Sequence, residues 1–386
     1  MSASDADGSS VGSGPVKGVL ICSPYAISRI SGIGRFVRDL VGSLEPSGVQ
    51  THLACPAGTR DPSPSKEAGF PLRWKVLPSV ELSIDTVVKE VRNRAKFQIV
   101  HVQQPHLQSL IAALLGRVLG KPSVVTLHVR PPVAGGWLRQ FAQRFVCDFS
   151  LRLADQSVAV SPFVAESFRP HPVRTIENGV DVDAFRPKVD GRRRVRASLR
   201  LGDETTFLFA GRWTSTKGLD ILIRASDSEI LARLPFKVVL LGEPSPDDPA
   251  LVEDQLRGLN HPSHILLVGS IGAELPDYLS AGDVFVAPSL YEGMPLAFLE
   301  AMATGLPVLA SDIPVHRLLI DRAGVGWLFP SGSSDGLAAL MKNIIERGIP
   351  KLWPEHARAM VLRHHELRYK VSEYLALYEA LVNHRT

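Results

Sequence analysis

The stretch Pro288-Ser289-Leu290-Tyr291-Glu292-Gly293-Met294-Pro295-Leu296-Ala297-Phe298-Leu299-Glu300-Ala301 decides how the chain is read. The run before it, Asp283–Ala287 (DVFVA), reads as a buried strand. Gly293 and Pro295 then interrupt the chain and a helix follows. Pro295 suits the first helical position, where no N–H donor is needed. The backbone of Gly293, Met294, Pro295 and Leu296 is thereby set against an anion at the positive end of the helix. Glu292 stands just before the helix and Glu300 about one turn inside it. A carboxylate in a first turn can simply complement the helix dipole. It can equally accept hydrogen bonds from hydroxyls, and two carboxylates flanking an anion-binding helix start suit one sugar and one ribose.

The same strand-to-helix rhythm extends outward. Thr206–Ala210, Lys237–Gly242, His264–Val268, Pro307–Ala310 and Gly326–Phe329 read as further strands, with helices such as Leu219–Ser226 and Leu296–Ala303 between them. Upstream, Gly18–Ser23, Gln98–Val102, Ser123–His128, Ser157–Ser161 and Val173–Glu177 repeat the pattern, with helices at Phe36–Leu44 and Ser109–Leu119. Short apolar runs alternating with helical stretches predict parallel sheets covered on both faces. The expected fold is therefore α/β, with two Rossmann-like doubly wound domains. They divide at the turn-rich Asn178–Pro187 into residues 17–180 and 181–365. Residues 1–16 read as a tail without structure. The last helix, within 366–386, has no strand after it and is expected to cross back onto the first domain. Ligands of such sheets bind beyond the carboxyl ends of the strands, so the expected site is the cleft between the domains.

Composition permits this. The chain has 386 residues, 45% of them apolar and 21% charged, enough for two buried cores. Cys22, Cys55 and Cys147 lie far apart and form no metal-type pair, which fits a reducing compartment. No stretch approaches the ~20 apolar residues of a membrane span, and the first residues lack an apolar leader. A cytoplasmic protein is expected. Residues 1–180 hold 20 Lys/Arg against 13 Asp/Glu, a balance of +7, whereas the remainder has 23 against 26, or −3. A basic first domain fits peripheral association with an anionic membrane. The tightest cluster, Arg192, Arg193, Arg194 and Arg196, lies past the midpoint, which favours scattered, solvated cations instead.

Three further groups carry chemistry. In Ser31-Gly32-Ile33-Gly34-Arg35 the glycines let a backbone approach a ligand, with a helix expected from about Phe36. The third glycine of the dinucleotide fingerprint is missing, and no acidic residue closes a clear second strand, so a plain turn is an equal reading. His128 ends its strand at the cleft rim, whereas His101 reads as buried and internally bonded. Arg212, directly after Gly211, and Lys217 form a strand-to-helix pair of cations suited to a diphosphate, or else two solvated charges.

Together these residues resemble the retaining GT-B glycosyltransferases of family 4, also called glycosyl transferases group 1. The resemblance rests on Glu292 and Glu300 in PSLYEGMPLAFLEAMATGLPVLAS, and on Gly211-Arg212 with Lys217-Gly218-Leu219. Asn178-Gly179-Val180-Asp181 with Phe185 and Pro187, the SGIGR loop and His128 add to it. It implies that Arg212 and Lys217 bind the donor diphosphate and stabilise the leaving nucleotide. Glu300 would hold the ribose, while Glu292 and the backbone of Gly293 to Leu296 hold the sugar. Gly32 and Gly34 would admit the donor and acceptor, and His128 would lie against the transferred sugar. The catalytic set so implied is His128, Arg212, Lys217 and Glu292. No metal and no cofactor are implied, and Asp181-Val182-Asp183 reads as loop structure. The donor is a nucleotide-sugar, UDP-linked by preference and GDP-mannose next. The acceptor is an unnamed sugar, lipid-linked or small molecule, and no nucleic-acid partner is expected. A nucleotide-sugar 2-epimerase of the same fold and a non-catalytic donor-binding subunit are the alternatives. The intact Arg212, Lys217 and Glu300 speak against the second. Pro244 after Gly242, and Val129 after His128, depart from the family pattern.

Overall fold

A computed structural model describes residues 15–23, 32–54, 74–77, 80–82, 94–105, 107–130, 137–244 and 255–384. Most of the expected tail, Ser31 and Cys55 lie outside the described residues.

The first sheet has six parallel strands in the order β2-β1-β5-β6-β7-β8. These are β1 (Gly18–Cys22), β2 (Gln50–Ala54), β5 (Ile99–Gln103), β6 (Ser123–Leu127), β7 (Gln156–Ala159) and β8 (Val173–Thr175). A separate antiparallel pair, β3 (Trp74–Leu77) and β4 (Val80–Leu82), lies between β2 and β5 in the chain. The second sheet runs β11-β10-β9-β12-β13-β14, again all parallel. Its strands are β9 (Thr205–Ala210), β10 (Phe236–Leu241), β11 (Ile265–Gly269), β12 (Val284–Ala287), β13 (Val308–Ser311) and β14 (Trp327–Phe329). Counted from β9, the order is 3-2-1-4-5-6, the doubly wound Rossmann arrangement, with its switch point between β9 and β12. In the first sheet the direction reverses between β1 and β5.

The central strands form because they are apolar throughout. β1, β5 and β6 are buried at every residue, as strands covered on both faces must be. β2 was not legible as a strand, and it ends in Ala54 without the acidic residue of the dinucleotide fingerprint. It is an edge strand of mixed polarity, Gln-Thr-His-Leu-Ala, exposed or half-buried along its length. Its register against β1, from Gly18↔Gln50 to Cys22↔Ala54, supplies what its composition does not.

The helices that position the site are α1 (Gly32–Leu44), α2 (Leu107–Val118), α3 (Trp137–Leu153), α4 (Leu219–Ser226), α5 (Leu296–Ala303), α6 (Pro314–Ala323) and α7 (Leu367–Asn383). α1 begins at Gly32, a turn earlier than the expected start near Phe36, so Gly32 and Gly34 lie within its first turn. Pro295 is the N-cap of α5, not its first residue. Its ψ of 105° is extended, and Leu296 opens the helix.

α7 lies against the first sheet. Val371, Tyr374, Leu377 and Tyr378 share one buried cluster with Val19, Ile21, Phe36, Val37, Ile99, Val124 and Val158. The two chain segments that cross between the sheets run side by side. Val180 N donates to His365 O (2.8 Å) and Leu367 N to Val180 O (3.0 Å). Gly179 has to be glycine there, since a Cβ would sit 2.7 Å from Leu367 Cα. Asp181 Oδ1 accepts the backbone N–H groups of Asp183 and Ala184, so this carboxylate shapes a turn. The arginine cluster is structural as well. Arg192 binds the carbonyls of Ser280, Ala281 and Gly282 and pairs with Asp283 at 2.7 Å, and Arg194 pairs with Asp277.

Tyr378 is fully buried and its hydroxyl lies 2.6 Å from Nδ1 of the equally buried His101. Tyr378→Phe is expected to lower stability by about 1–3 kcal/mol, because it strands a buried imidazole nitrogen. Urea unfolding of the two proteins checks this.

Candidate active site

Two loops of the second sheet meet at its switch point. Leu290 N donates to Thr216 O at 2.9 Å. Gly218 adopts φ 66°, and a Cβ on it would lie 2.0 Å from Pro288 O. The close approach needs glycine at this position twice over, for conformation and for space. It places Lys217 against the loop after β12, where Nζ lies 2.6 Å from Oε1 of Glu292. Ser289 Oγ donates to the same oxygen at 2.8 Å. Burial opposes ionisation of Glu292, but Lys217, with His316 and the Ser289 hydroxyl, outweighs it and holds the carboxyl below the ordinary range. Gly211 N bonds Leu241 O at the end of β9. Arg212 follows it, exposed, and meets no acidic partner among the described residues.

Glu300 is the fifth residue of α5 and is only 2% exposed. Its Oε1 lies 3.1 Å from Arg35 Nε of α1, and its Oε2 is buried with no hydrogen-bond partner. Burial, checked by Arg35 and reinforced by Asp39, raises the carboxyl to about 7. Asp39 itself is raised to about 6, chiefly by burial. A carboxylate with one bonded and one free oxygen, sealed from water, has unused acceptor capacity for hydroxyl groups.

Across the cleft, His128 follows β6 and is 6% exposed. Its Nε2 lies 2.8 Å from Gln103 Oε1, and Gln103 Nε2 lies 3.1 Å from His101 Nε2. The amide oxygen places the His128 proton on Nε2 and leaves Nδ1 as an acceptor. Burial pushes His128 down to about 3, so the ring is neutral and offers hydrogen bonds, not a positive charge. Its backbone N donates to Gln104 Oε1 at 2.8 Å. Gln104, the residue after β5, has φ 62°, a strained conformation for a residue that is not glycine.

The two sheets touch around this group. A Cβ on Gly293 would lie 1.9 Å from His128 O, so only glycine lets the loop after β12 pass under that carbonyl. Asn178 Nδ2 donates to Met294 O at 3.1 Å. Arg130 N donates to the Tyr291 hydroxyl at 2.8 Å, with the Arg130 guanidinium 4.9 Å above the ring. Gly32 faces open space, whereas Gly34 is buried.

The structure thus gathers Lys217, Glu292, Gly293, Met294, Glu300 and His128 at one cleft. Four neighbours were not singled out from sequence. Arg35 and Asp39 stand in α1 beside the glycines of SGIGR. Gln103 ends β5 and Gln104 follows it, at the carboxyl end where ligands of a doubly wound sheet bind. His316 of α6 was missed too. It is fully buried, stacks on Phe298 at 5.3 Å and leaves Nε2 unpartnered. Among the described residues no group of three His, Cys, Asp or Glu could hold a metal ion.

Two doubly wound parallel sheets in contact across a cleft lined from both switch points define the GT-B class of glycosyltransferase. The comparisons agree with it. Residues 30–184 match the model described as Glycosyltransferase Family 4, and residues 204–347 that of Glycosyl transferases group 1. The chain belongs to the GT-B glycosyltransferases of family 4. It is 26% identical to the UDP-Gal:alpha-D-GlcNAc-diphosphoundecaprenol alpha-1,3-galactosyltransferase of Escherichia coli, over 75% of this chain and 77% of that one. Identity is again 26% to the phosphatidyl-myo-inositol mannosyltransferase of Mycolicibacterium smegmatis, over 85% and 84%. The sucrose-phosphate synthase of Thermosynechococcus elongatus superposes with a TM-score of 0.76 at 21% identity, covering 95% of this chain and 100% of that one.

Proposed function

We propose that the protein transfers a hexosyl or N-acetylhexosaminyl group from a UDP-sugar, with GDP-mannose the next choice, to an acceptor hydroxyl with retention at the anomeric carbon. The observation that carries this is the Lys217–Glu292 contact beside a cap-opened helix, with the half-used carboxylate of Glu300 inside that helix. In this reading the diphosphate takes Lys217 and Arg212, and the ribose hydroxyls take the free oxygen of Glu300. The sugar rests on Glu292 and the backbone from Gly293, Met294 and Pro295 to Leu296, with neutral His128 across from it. Negative charge grows on the departing diphosphate and the two cations stabilise it there. The acceptor attacks on the face the diphosphate leaves, and the leaving oxygen takes the acceptor proton, so no side-chain nucleophile is used. Positioning and fixed charge in the closed cleft supply the acceleration without a metal. The two curated relatives named above carry phosphorylated lipids in their acceptor names, which supports a cell-envelope glycolipid or polysaccharide intermediate as acceptor.

Thermal unfolding with UDP, GDP, ADP and their sugar conjugates tests the donor. UDP and one UDP-sugar are expected to raise the melting temperature, since a ligand of the native state alone stabilises it. A shift with GDP or ADP only would reassign the donor. A shift with none, together with no nucleotide release in the presence of EDTA, would remove the reading.

A further inference from the structure

α3 carries an aromatic stripe that the fold does not cover. Trp137, Phe141, Phe145 and Phe149 recur every four residues and so share one side of the helix. They are 75%, 67%, 58% and 39% exposed, in that order along the chain. The opposite side is the one packed into the protein, through Cys147, Ser150 and Leu151. Phe145 and Phe149 stack on each other at 5.8 Å instead of turning into the core. The neighbouring helix α2 adds exposed Leu114 and Val118, again four residues apart. Scattered single apolar residues on a surface need no account, but an ordered row of four aromatics does.

The charges around the stripe say what covers it. Beside the stripe α3 holds exposed Arg144 and Arg152, with Asp148 the one acid of the helix. That carboxylate lies 3.3 Å from His171 Nε2. Arg117 of α2 and Arg130 of the loop before α3 are exposed as well. Aromatic rings on one side and arginines beside them are the composition of a helix that lies in a membrane interface. Among the described residues no helix is long and apolar enough to cross a membrane, so the contact is superficial. Exposure falls steadily from Trp137 to Phe149, which tilts the N-terminal end of α3 deepest. That end begins nine residues after His128, on the acceptor side of the cleft.

We propose that the exposed side of α3 docks the protein on an anionic phospholipid bilayer, with Trp137, Phe141 and Phe145 inserted among the headgroups and Arg144 and Arg117 on lipid phosphates. An amphiphilic acceptor would then reach the cleft from the surface on which the enzyme sits. This goes beyond the transfer reading and does not need it, because docking is measured without turnover.

The test is sedimentation with vesicles of phosphatidylcholine, alone or mixed with phosphatidylglycerol. The wild-type protein is expected to bind the anionic vesicles and to lose that binding as salt rises from ~0.05 to ~0.5 M. The triple variant Trp137→Ser, Phe141→Ser, Phe145→Ser is expected to bind at least about ten-fold more weakly. Arg144→Gln with Arg117→Gln should each contribute about a five-fold loss. Because all five positions are exposed, melting temperature and nucleotide-induced shift should stay as in the wild type. A measurement on the unaltered protein stands beside these. Brominated lipids should quench tryptophan emission, and Trp137→Phe should remove most of the quenched share. Equal binding by the triple variant, or no binding of the wild type to anionic vesicles, would overturn the proposal. So would a wild-type dimer that the triple variant splits, with no vesicle binding, since a second copy would then cover the stripe.

Discussion

Replacing Lys217 by Ala is expected to lower kcat about a thousand-fold while the protein still folds. The ammonium stands where charge develops on the leaving diphosphate, and removing one such preorganised cation costs roughly 10²–10³ in rate. The same change has a second consequence. Glu292 is 13% exposed and depends on Lys217 to remain ionised against its burial. Without the lysine its carboxyl rises, Ser289 remains as its close donor, and stability at neutral pH falls by about 1–2 kcal/mol. The two effects separate in a double variant. Lys217→Ala with Glu292→Gln should recover the melting temperature, since no lone carboxylate is left, and should recover none of the turnover. Turnover of Lys217→Ala within about ten-fold of the wild type would sink the diphosphate role. Recovery of turnover in the double variant would show that the lysine acts only by neutralising Glu292.

How much of this was legible follows from what each residue contacts. β9, written TTFLFA, and β12, written VFVA, announce themselves because a central parallel strand is covered on both faces and is apolar at nearly every position. α4 and α5 span the expected residues, Leu219–Ser226 and Leu296–Ala303, with Pro295 capping α5 instead of opening it, since Gly218, Gly293 and Pro295 mark their starts in the sequence. β2 did not announce itself, because an edge strand takes its definition from the neighbour it pairs with. The sequence points to a start of α1 near Phe36 because Gly32 and Gly34 are poor helix formers, and the fold overrides that preference. Within the site, Lys217 and Glu292 were assigned to different parts of a ligand, and their direct contact arises from Gly218 packing under Pro288. Arg35 stands in the SGIGR motif, and nothing in that motif gives it a role. Its partner Glu300 lies in α5, which packs on the second sheet, and no local pattern encodes a contact across the cleft.

The Arg35–Glu300 contact carries the second large effect. Glu300→Gln is expected to stabilise the ligand-free protein above neutral pH and to weaken nucleotide binding roughly 10- to 100-fold. The carboxyl titrates at 4.5 when unperturbed and at about 7 in the folded protein. Between those values the folded chain keeps a proton that the unfolded chain has released. The stabilisation it brings is therefore complete below about pH 4.5 and is lost as pH rises to about 7. A shift of this size corresponds to at most roughly 3 kcal/mol. Gln has the same shape and no proton to lose, so urea midpoints between about pH 5 and 8 should show a shallower decline in the variant. Some slope should persist, because Asp39, also raised by burial, titrates in the same direction at about 6. Nucleotide affinity should move oppositely. Ribose hydroxyls bond more strongly to an ionised carboxylate than to an amide, so wild-type affinity for UDP should climb as pH passes 7, and the variant's should not. An identical pH slope of stability in both proteins would show that Glu300 is ionised throughout, held by Arg35. Unchanged affinity for UDP would remove Glu300 from the ribose site, leaving the buried, half-bonded carboxylate as a tie between the two sheets and nothing more.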